Sequence, residues 1–415
     1  MPVRTLYPRF AARRLGEALA DAPAVLIHGP RQAGKTTLAR TVGRRARYAY
    51  FTFDDQTTLD AALSDPVGFV AGLPRRAILD EVQHAPGIFR SIKAAIDRER
   101  APGRFILTGS TNVLLLPRLA DSLAGRMTVM GLRPLAQCEL ARRPSDFLAR
   151  LFGRGFPVTS SRRRGAGLAE RIASGGYPAA LALPAGRRRA NWYASYVETI
   201  VQRDVRDLAR IAALDTVPRL LALAAAQTAR LLNVSDLAGP FQVSRPTIRE
   251  YVTLLNRVFL IEELPAWHAN RLSRLVKTPK LHMTDTGLAC ALLEADADSL
   301  EADRSFLGQL LETFVLQELR RLASWSEDRL SFFHFRDRDA AEVDIVIERG
   351  ARAVAGVEVK ASATVTAADF RGLRKFREAV GARFAGGVVL YDGDTSVGFG
   401  DNLYAVPVRK LWEPV

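Results

Sequence analysis

One nine-residue stretch constrains this chain more than any other. Gly29-Pro30-Arg31-Gln32-Ala33-Gly34-Lys35-Thr36-Thr37 is a full match to G-x-x-x-x-G-K-[ST]. It follows the apolar run at residues 24–27 and leads into a helical pattern at residues 38–42. Strand, glycine-rich loop and helix in that order call for an α/β sheet whose loop sits at a strand's C-terminal end. The residue types fit phosphate chemistry. Glycines let backbone N–H groups wrap an anion, and the helix N-terminus adds its positive dipole end. Lys35 is expected to reach the β- and γ-phosphates of ATP, and the Thr36 hydroxyl to ligate Mg²⁺.

Two more apolar runs end in polar chemistry. Residues 76–81 read as a buried strand closing on Asp80-Glu81. Asp80 suits Mg²⁺, held through its water shell, and Glu81 is placed to polarise the attacking water. Residues 104–112 read as another strand ending in Thr108, Ser110 and Asn112. Ser110 or Asn112 is the candidate sensor of the γ-phosphate, since ligands bind at strand C-terminal ends in open α/β sheets. His28, just before the first glycine, reads as a packed strand-end residue.

These stretches, with Ser122-Leu-Ala-Gly125-Arg126 after them, resemble a bacterial AAA-type ATPase. The subgroup resembled carries a C-terminal domain of unknown function similar to PD-(D/E)xK nucleases, and the resemblance runs over nearly the whole chain. It implies an α/β architecture in three parts. An AAA-type P-loop domain covers residues 1–140, a helical and winged-helix-like region 141–300, and a small mixed α/β restriction-endonuclease-like domain 301–415. It also implies that Arg126 acts as an arginine finger on the γ-phosphate, in cis or in a neighbour's site within a homo-oligomer, and that Arg31 reaches phosphate.

The middle region is punctuated by arginine clusters at 142–143, 162–164 and 187–189 and by a long helical stretch at 192–210. Residues 233–238 and 243–252 look like a helix-turn-helix. Ser244 is a suitable N-cap, Pro246 is tolerated in the first turn, and Ile248, Val252 and Leu255 form an apolar stripe. Arg245, Thr247, Arg249 and Glu250 are left outward, towards DNA or a protein partner. Residues 259–264 are expected to form a strand and a wing.

In the last third, residues 330–335, 342–347 and 353–360 read as strands, and 306–322 as a helix bearing Glu312. Alternation puts Glu342 with Asp344 on one face, and Glu358 with Lys360 on one face. That is the logic of PD-(D/E)xK nucleases. Asp344 and Glu358, with Glu312 completing the cluster, would hold Mg²⁺ while Lys360 orients water. A structural ion-pair cluster is the alternative.

Composition narrows the partners. Basic residues number 59 against 44 acidic, a net charge of +15 that points to an anionic partner. The excess is uneven: 20 against 12 in residues 1–140, 23 against 14 in 141–300, and 16 against 18 in 301–415. DNA contact is therefore expected through 141–300. Cys138 and Cys290 are too few for a disulfide framework or a four-thiolate zinc site. No apolar run approaches the 18 or so residues of a membrane span, so a cytoplasmic protein without membrane contact is expected.

Overall fold

Five short strands pair side by side in one direction, a pairing that needs crossovers; among the described residues the helices Lys35–Arg45 and Ile88–Arg98 carry the chain back across the sheet. The computed structural model describes residues 6–110, 125–160, 167–205, 216–241, 243–274, 277–337, 339 and 341–413. They divide into two compact units. One holds Pro8–Leu135 with Arg257–Phe259, the other Met1–Tyr7, Ala136–Asn256 and Leu260–Val415.

The first unit is built on strands β1 (Ala24–His28), β2 (Ala49–Thr52), β3 (Ala77–Asp80), β4 (Phe105–Gly109) and β5 (Met127–Gly131). Their order is β2-β3-β4-β1-β5 and every pairing is parallel. Side chains alternate across the sheet. Val25, Ile27, Ile78, Ile106 and Met130 face Leu15 and Leu38 of the helices Ala11–Asp21 and Lys35–Arg45. Leu26, Leu79, Phe105 and Leu107 face Ile88, Ile92 and Ile96 of the helix Ile88–Arg98. Each fully buried Leu or Ile contributes about 1.5–3 kcal/mol, so two apolar faces lock the register of all five strands. One edge of this sheet therefore carries every strand's C-terminal end.

The second unit joins the middle and last parts of the chain through a seven-stranded sheet. Its strands are β6 (Thr159–Ser160), β10 (Leu330–Arg336), β11 (Glu342–Arg349), β12 (Ala353–Lys360), β13 (Phe384–Tyr391), β14 (Thr395–Gly398) and β15 (Leu403–Pro407). The order is β10-β11-β12-β13-β15-β14-β6, with β12-β13-β15 parallel and the remaining pairs antiparallel. Thus β6, from the middle region, supplies an edge strand to the C-terminal sheet.

The region expected to form a helix-turn-helix holds short helices and strands. Helix Thr216–Ala226, strand β7 (Arg230–Leu231), helix Val234–Ala238 and helix Arg245–Arg257 lead into β8 (Ile261–Leu264) and β9 (Lys280–Met283). The three strands form an antiparallel sheet in the order β7-β9-β8. Ser244 Oγ accepts from the Thr247 N–H at 3.3 Å, the N-cap expected there. Ile248, Val252 and Leu255 are buried; Arg245, Arg249 and Glu250 are exposed.

The stretch between β8 and β9 does not project as a free wing. Trp267 N–H donates to the His334 carbonyl (2.6 Å) and His334 N–H to that of Pro265 (2.9 Å), which docks the stretch on β10. Arg274 clasps Glu348 with both Nη atoms (2.7 and 2.9 Å), and Trp267 Nε1 donates to the same carboxylate at 3.1 Å. Burial alone would raise the Glu348 pKa, but Arg274, Arg383 and Trp267 bring it down to about 2.

Of the arginine clusters, Arg189 pairs with Glu170 at 3.1 Å in the helix Arg187–Thr199. Arg162–Arg164 lie outside the described residues, as do residues 206–210 of the long helical stretch.

His334, 2 % exposed beneath this docked stretch, has its pKa lowered to about 4, first by burial and then by Lys280. The folded chain takes up that proton only near pH 4, the unfolded chain near 6.5. Stability is therefore lost as pH falls from 6.5 towards 4, by about 1.4 kcal/mol per pH unit. Urea midpoints between pH 7 and 5 should fall less steeply in His334→Asn than in the wild type; equal slopes would contradict this.

Candidate active site

The loop after β1 bends because its glycines and one glutamine accept positive φ: Gly29 at 148°, Gln32 at 60° and Gly34 at 96°. A Cβ on Gly29 would lie 2.1 Å from the Leu132 carbonyl oxygen, so only glycine fits there. Gly34 caps the helix Lys35–Arg45, whose first turn opens on the loop. Pro30 and Ala33 are buried, while Arg31 is half-buried and Gln32 and Thr37 are exposed. Arg9 stiffens the loop from outside, donating to the Ala33 carbonyl (2.7 Å) and the Arg133 carbonyl (2.6 Å).

Lys35, 4 % exposed, folds over the loop and donates to the Gly29 (3.1 Å) and Pro30 (3.0 Å) carbonyls. The Thr36 hydroxyl donates to Asp80 Oδ1 at 2.9 Å and Oδ2 at 3.0 Å. The two residues expected at Mg²⁺ thus meet, Thr36 from the helix after β1 and Asp80 from the end of β3. A hydroxyl and a carboxylate are the hard oxygen donors that Mg²⁺ takes, so the pair fits that ion. Tyr50 on β2 donates to Asp80 Oδ2 (2.8 Å) and Thr108 on β4 to Oδ1. Burial, helped by the Asp80 bond, pushes the Tyr50 pKa up to about 12, which keeps the phenol a donor. Asp80 is in this way oriented from both neighbouring strands.

Glu81 follows with φ at 56°, a left-handed turn that swings its carboxylate off the strand line. Its N–H reaches Thr108 Oγ1 at 3.3 Å. Gln83 Nε2 donates both to Glu81 Oε2 (2.6 Å) and to Ser110 Oγ (3.0 Å), tying the candidate water-polarising group to the candidate γ-phosphate sensor. Gln83, Tyr50, Thr108 and Arg9 escape sequence reading as site residues. None has a motif spacing of its own, although Gln83 stands two residues beyond Glu81. Asn112 lies outside the described residues. The His28 pKa is lowered to about 4 by burial, then by Arg133 and Lys35, in keeping with a packed neutral imidazole.

Arg126 is not brought to this site. Met127 pairs with Ala24, the first residue of β1, whereas Gly131 pairs with His28 beside the loop. Arg126 therefore stands at the opposite end of the sheet, about 20 Å from the start of the loop at 3.3 Å per residue. There its Nε and Nη2 bind the two oxygens of Asp97 (2.5 and 3.0 Å).

The C-terminal carboxylates converge, but on a lysine. Lys280 Nζ on β9 lies 2.8 Å from Glu312 Oε1, 2.7 Å from Glu342 Oε1 and 3.3 Å from Asp344 Oδ1. Lys360 turns to Glu358 Oε1 at 2.8 Å. The expectation that Glu312, Asp344 and Glu358 surround Mg²⁺ does not match this arrangement, because an ammonium already sits among the first two and Glu358 is paired elsewhere. Among the described residues, no group of three or more His, Cys, Asp or Glu is arranged to hold a metal ion. No helix among them is long and apolar enough to cross a membrane.

Comparison with known proteins agrees with the first unit's geometry. Residues 21–141 match an AAA domain, residues 165–299 a domain of unknown function (DUF8612) and residues 307–411 a second one (DUF4143). A solved structure, the Walker-type ATPase PABY2304 of Pyrococcus abyssi, is similar over 69% of this chain and 96% of its own, with 15% identity and a TM-score of 0.44. Uncharacterized protein Rv2008c of Mycobacterium tuberculosis and uncharacterized protein Mb2031c of Mycobacterium bovis are each 31% identical over 406 residues, which is 97% of this chain and 84% of theirs. The chain belongs to the family of these two mycobacterial proteins, and its residues 21–141 are an AAA domain of the P-loop type.

Proposed function

We propose that this chain binds ATP with Mg²⁺ at the loop following β1 and hydrolyses the γ-phosphate. The observation that carries the reading is the meeting of Thr36 with Asp80, beside a Glu81 that Gln83 links to Ser110. Thr36 and Asp80 would hold the Mg²⁺, which neutralises phosphate charge when bound. Lys35 exchanges the loop carbonyls for phosphate oxygens, a charge-assisted bond that is stronger than the one it leaves. The loop's N–H groups and the helix N-terminus take the remaining phosphate charge. Glu81 orients water and accepts its proton, and Gln83 holds that carboxylate in reach of the strand ends.

Three further parts extend this reading. A DNA contact through residues 141–300 is supported by the order helix, strand, helix, helix, strand, strand and by exposed Arg245 and Arg249 on the second helix of the pair. Arg249 is partly engaged by Glu263 at 3.1 Å. A homo-oligomer is supported by the position of Arg126 beyond reach of its own loop. For the C-terminal half we favour a regulatory role without cleavage, in which nucleotide state acts as a switch; Lys280 among the carboxylates favours this.

Phosphate release from ATP by the full chain, with Mg²⁺ and with EDTA, tests the central claim. Release that stops with EDTA and with Lys35→Ala is expected. A wild-type chain that binds ATP but releases no phosphate would overturn hydrolysis and leave a binding switch.

A further inference from the structure

We infer that Lys280 is a built-in cation that closes the Glu312–Glu342–Asp344 cluster to divalent metal, so that the C-terminal half does not cut phosphodiesters. The inference is independent of the ATPase reading, since all its residues lie in the second unit.

The geometry is that of an ammonium site. Glu342 and Glu312 oxygens stand 2.7 and 2.8 Å from Nζ, the range of charge-assisted hydrogen bonds, with Asp344 at 3.3 Å, whereas Mg²⁺ demands oxygens at 2.0–2.1 Å. The three carboxylates come from two different elements, Glu312 from the helix Arg304–Ala323 and the other two from β11. They meet around Lys280 Nζ, which β9 places between them. Lys280 is 3 % exposed, and exchange with a solvent ion would mean removing a covalently tethered cation.

Two other oxygens a metal would use are also committed. Asp344 Oδ2 accepts the Val359 N–H at 2.9 Å. Glu358 Oε1 takes Lys360, while its Oε2 is buried with no hydrogen-bond partner among the described residues.

Mn²⁺ titration of the nucleotide-free full chain, followed by the electron paramagnetic resonance of the free ion, tests this. The wild type is expected to show no Mn²⁺ site that Asp344→Asn removes. Lys280→Ala, shown folded by circular dichroism, is expected to gain one Mn²⁺ per chain, lost again in Lys280→Ala/Asp344→Asn. A wild-type site sensitive to Asp344→Asn, or a folded Lys280→Ala chain that gains none, would falsify the inference. Should Lys280→Ala not fold, the wild-type thermal midpoint decides: no shift between Mn²⁺ and EDTA supports the tethered cation. A rise with Mn²⁺ that Asp344→Asn abolishes overturns it.

Discussion

Glu81→Gln is expected to bind ATP as the wild type does and to release phosphate about 10²–10⁴-fold more slowly, the range lost when a positioned general base is removed. The substitution is close to isosteric, and the Glu81 N–H bond to Thr108 does not involve the changed side chain. Gln83 Nε2 can still donate to the remaining carbonyl oxygen, so the left-handed turn at residue 81 survives. What disappears is the negative charge that accepts the proton of the attacking water. Lys35→Ala should fail at the earlier step. Losing a charge-assisted contact of about 1.5–3 kcal/mol weakens nucleotide binding roughly 10–150-fold. Fluorescent-nucleotide titration and phosphate release, measured on the same preparations, separate the two. Equal rates for Glu81→Gln and wild type would remove Glu81 from the chemistry and leave the Thr36–Asp80 pair as a binding site only.

The parts of this site that sequence reading reaches are those that end a strand. β1, β3 and β4 are short apolar runs, each followed at once by the polar residues proposed for the chemistry, so locating the strand locates the side chain. β2 is harder, because all four of its residues are half-buried and alternation is absent; Tyr50 is invisible until β2 is seen beside β3. Lys280 is harder still. It lies on β9, outside the two strands that carry the carboxylates' spacing, and no periodicity says which cation a carboxylate will meet. Residues 259–264 read as a strand and a wing, and just beyond them Trp267 is one of the buried residues of the C-terminal core. An apolar ring outweighs the fold-level expectation, since burying Trp267 returns more than leaving it on an exposed hairpin. Arg126 carries a different lesson. Motif order brings it near the phosphates, but in a parallel sheet a residue before a strand and a loop after one stand at opposite ends.

That polarity leads to the second large effect. Arg126→Ala is expected to slow hydrolysis about 10³–10⁵-fold, the worth of an arginine finger on the transferring phosphoryl group. Because Arg126 stands a strand's length from its own loop, the loss is expected in trans. Arg126→Ala keeps an intact nucleotide site and lacks a finger; Lys35→Ala lacks the site and keeps the finger. Mixed in equal amounts, the two inactive chains should recover part of the wild-type rate, since each mixed interface can pair a good site with a good finger. The wild-type rate per chain should also rise with protein concentration, as assembly completes the site. Asp97, which holds Arg126 through both oxygens, gives the control: Asp97→Ala frees the guanidinium without removing it and should retain hydrolysis. A rate that is independent of concentration, together with no recovery on mixing, would confine catalysis to one chain and leave Arg126 a surface partner of Asp97.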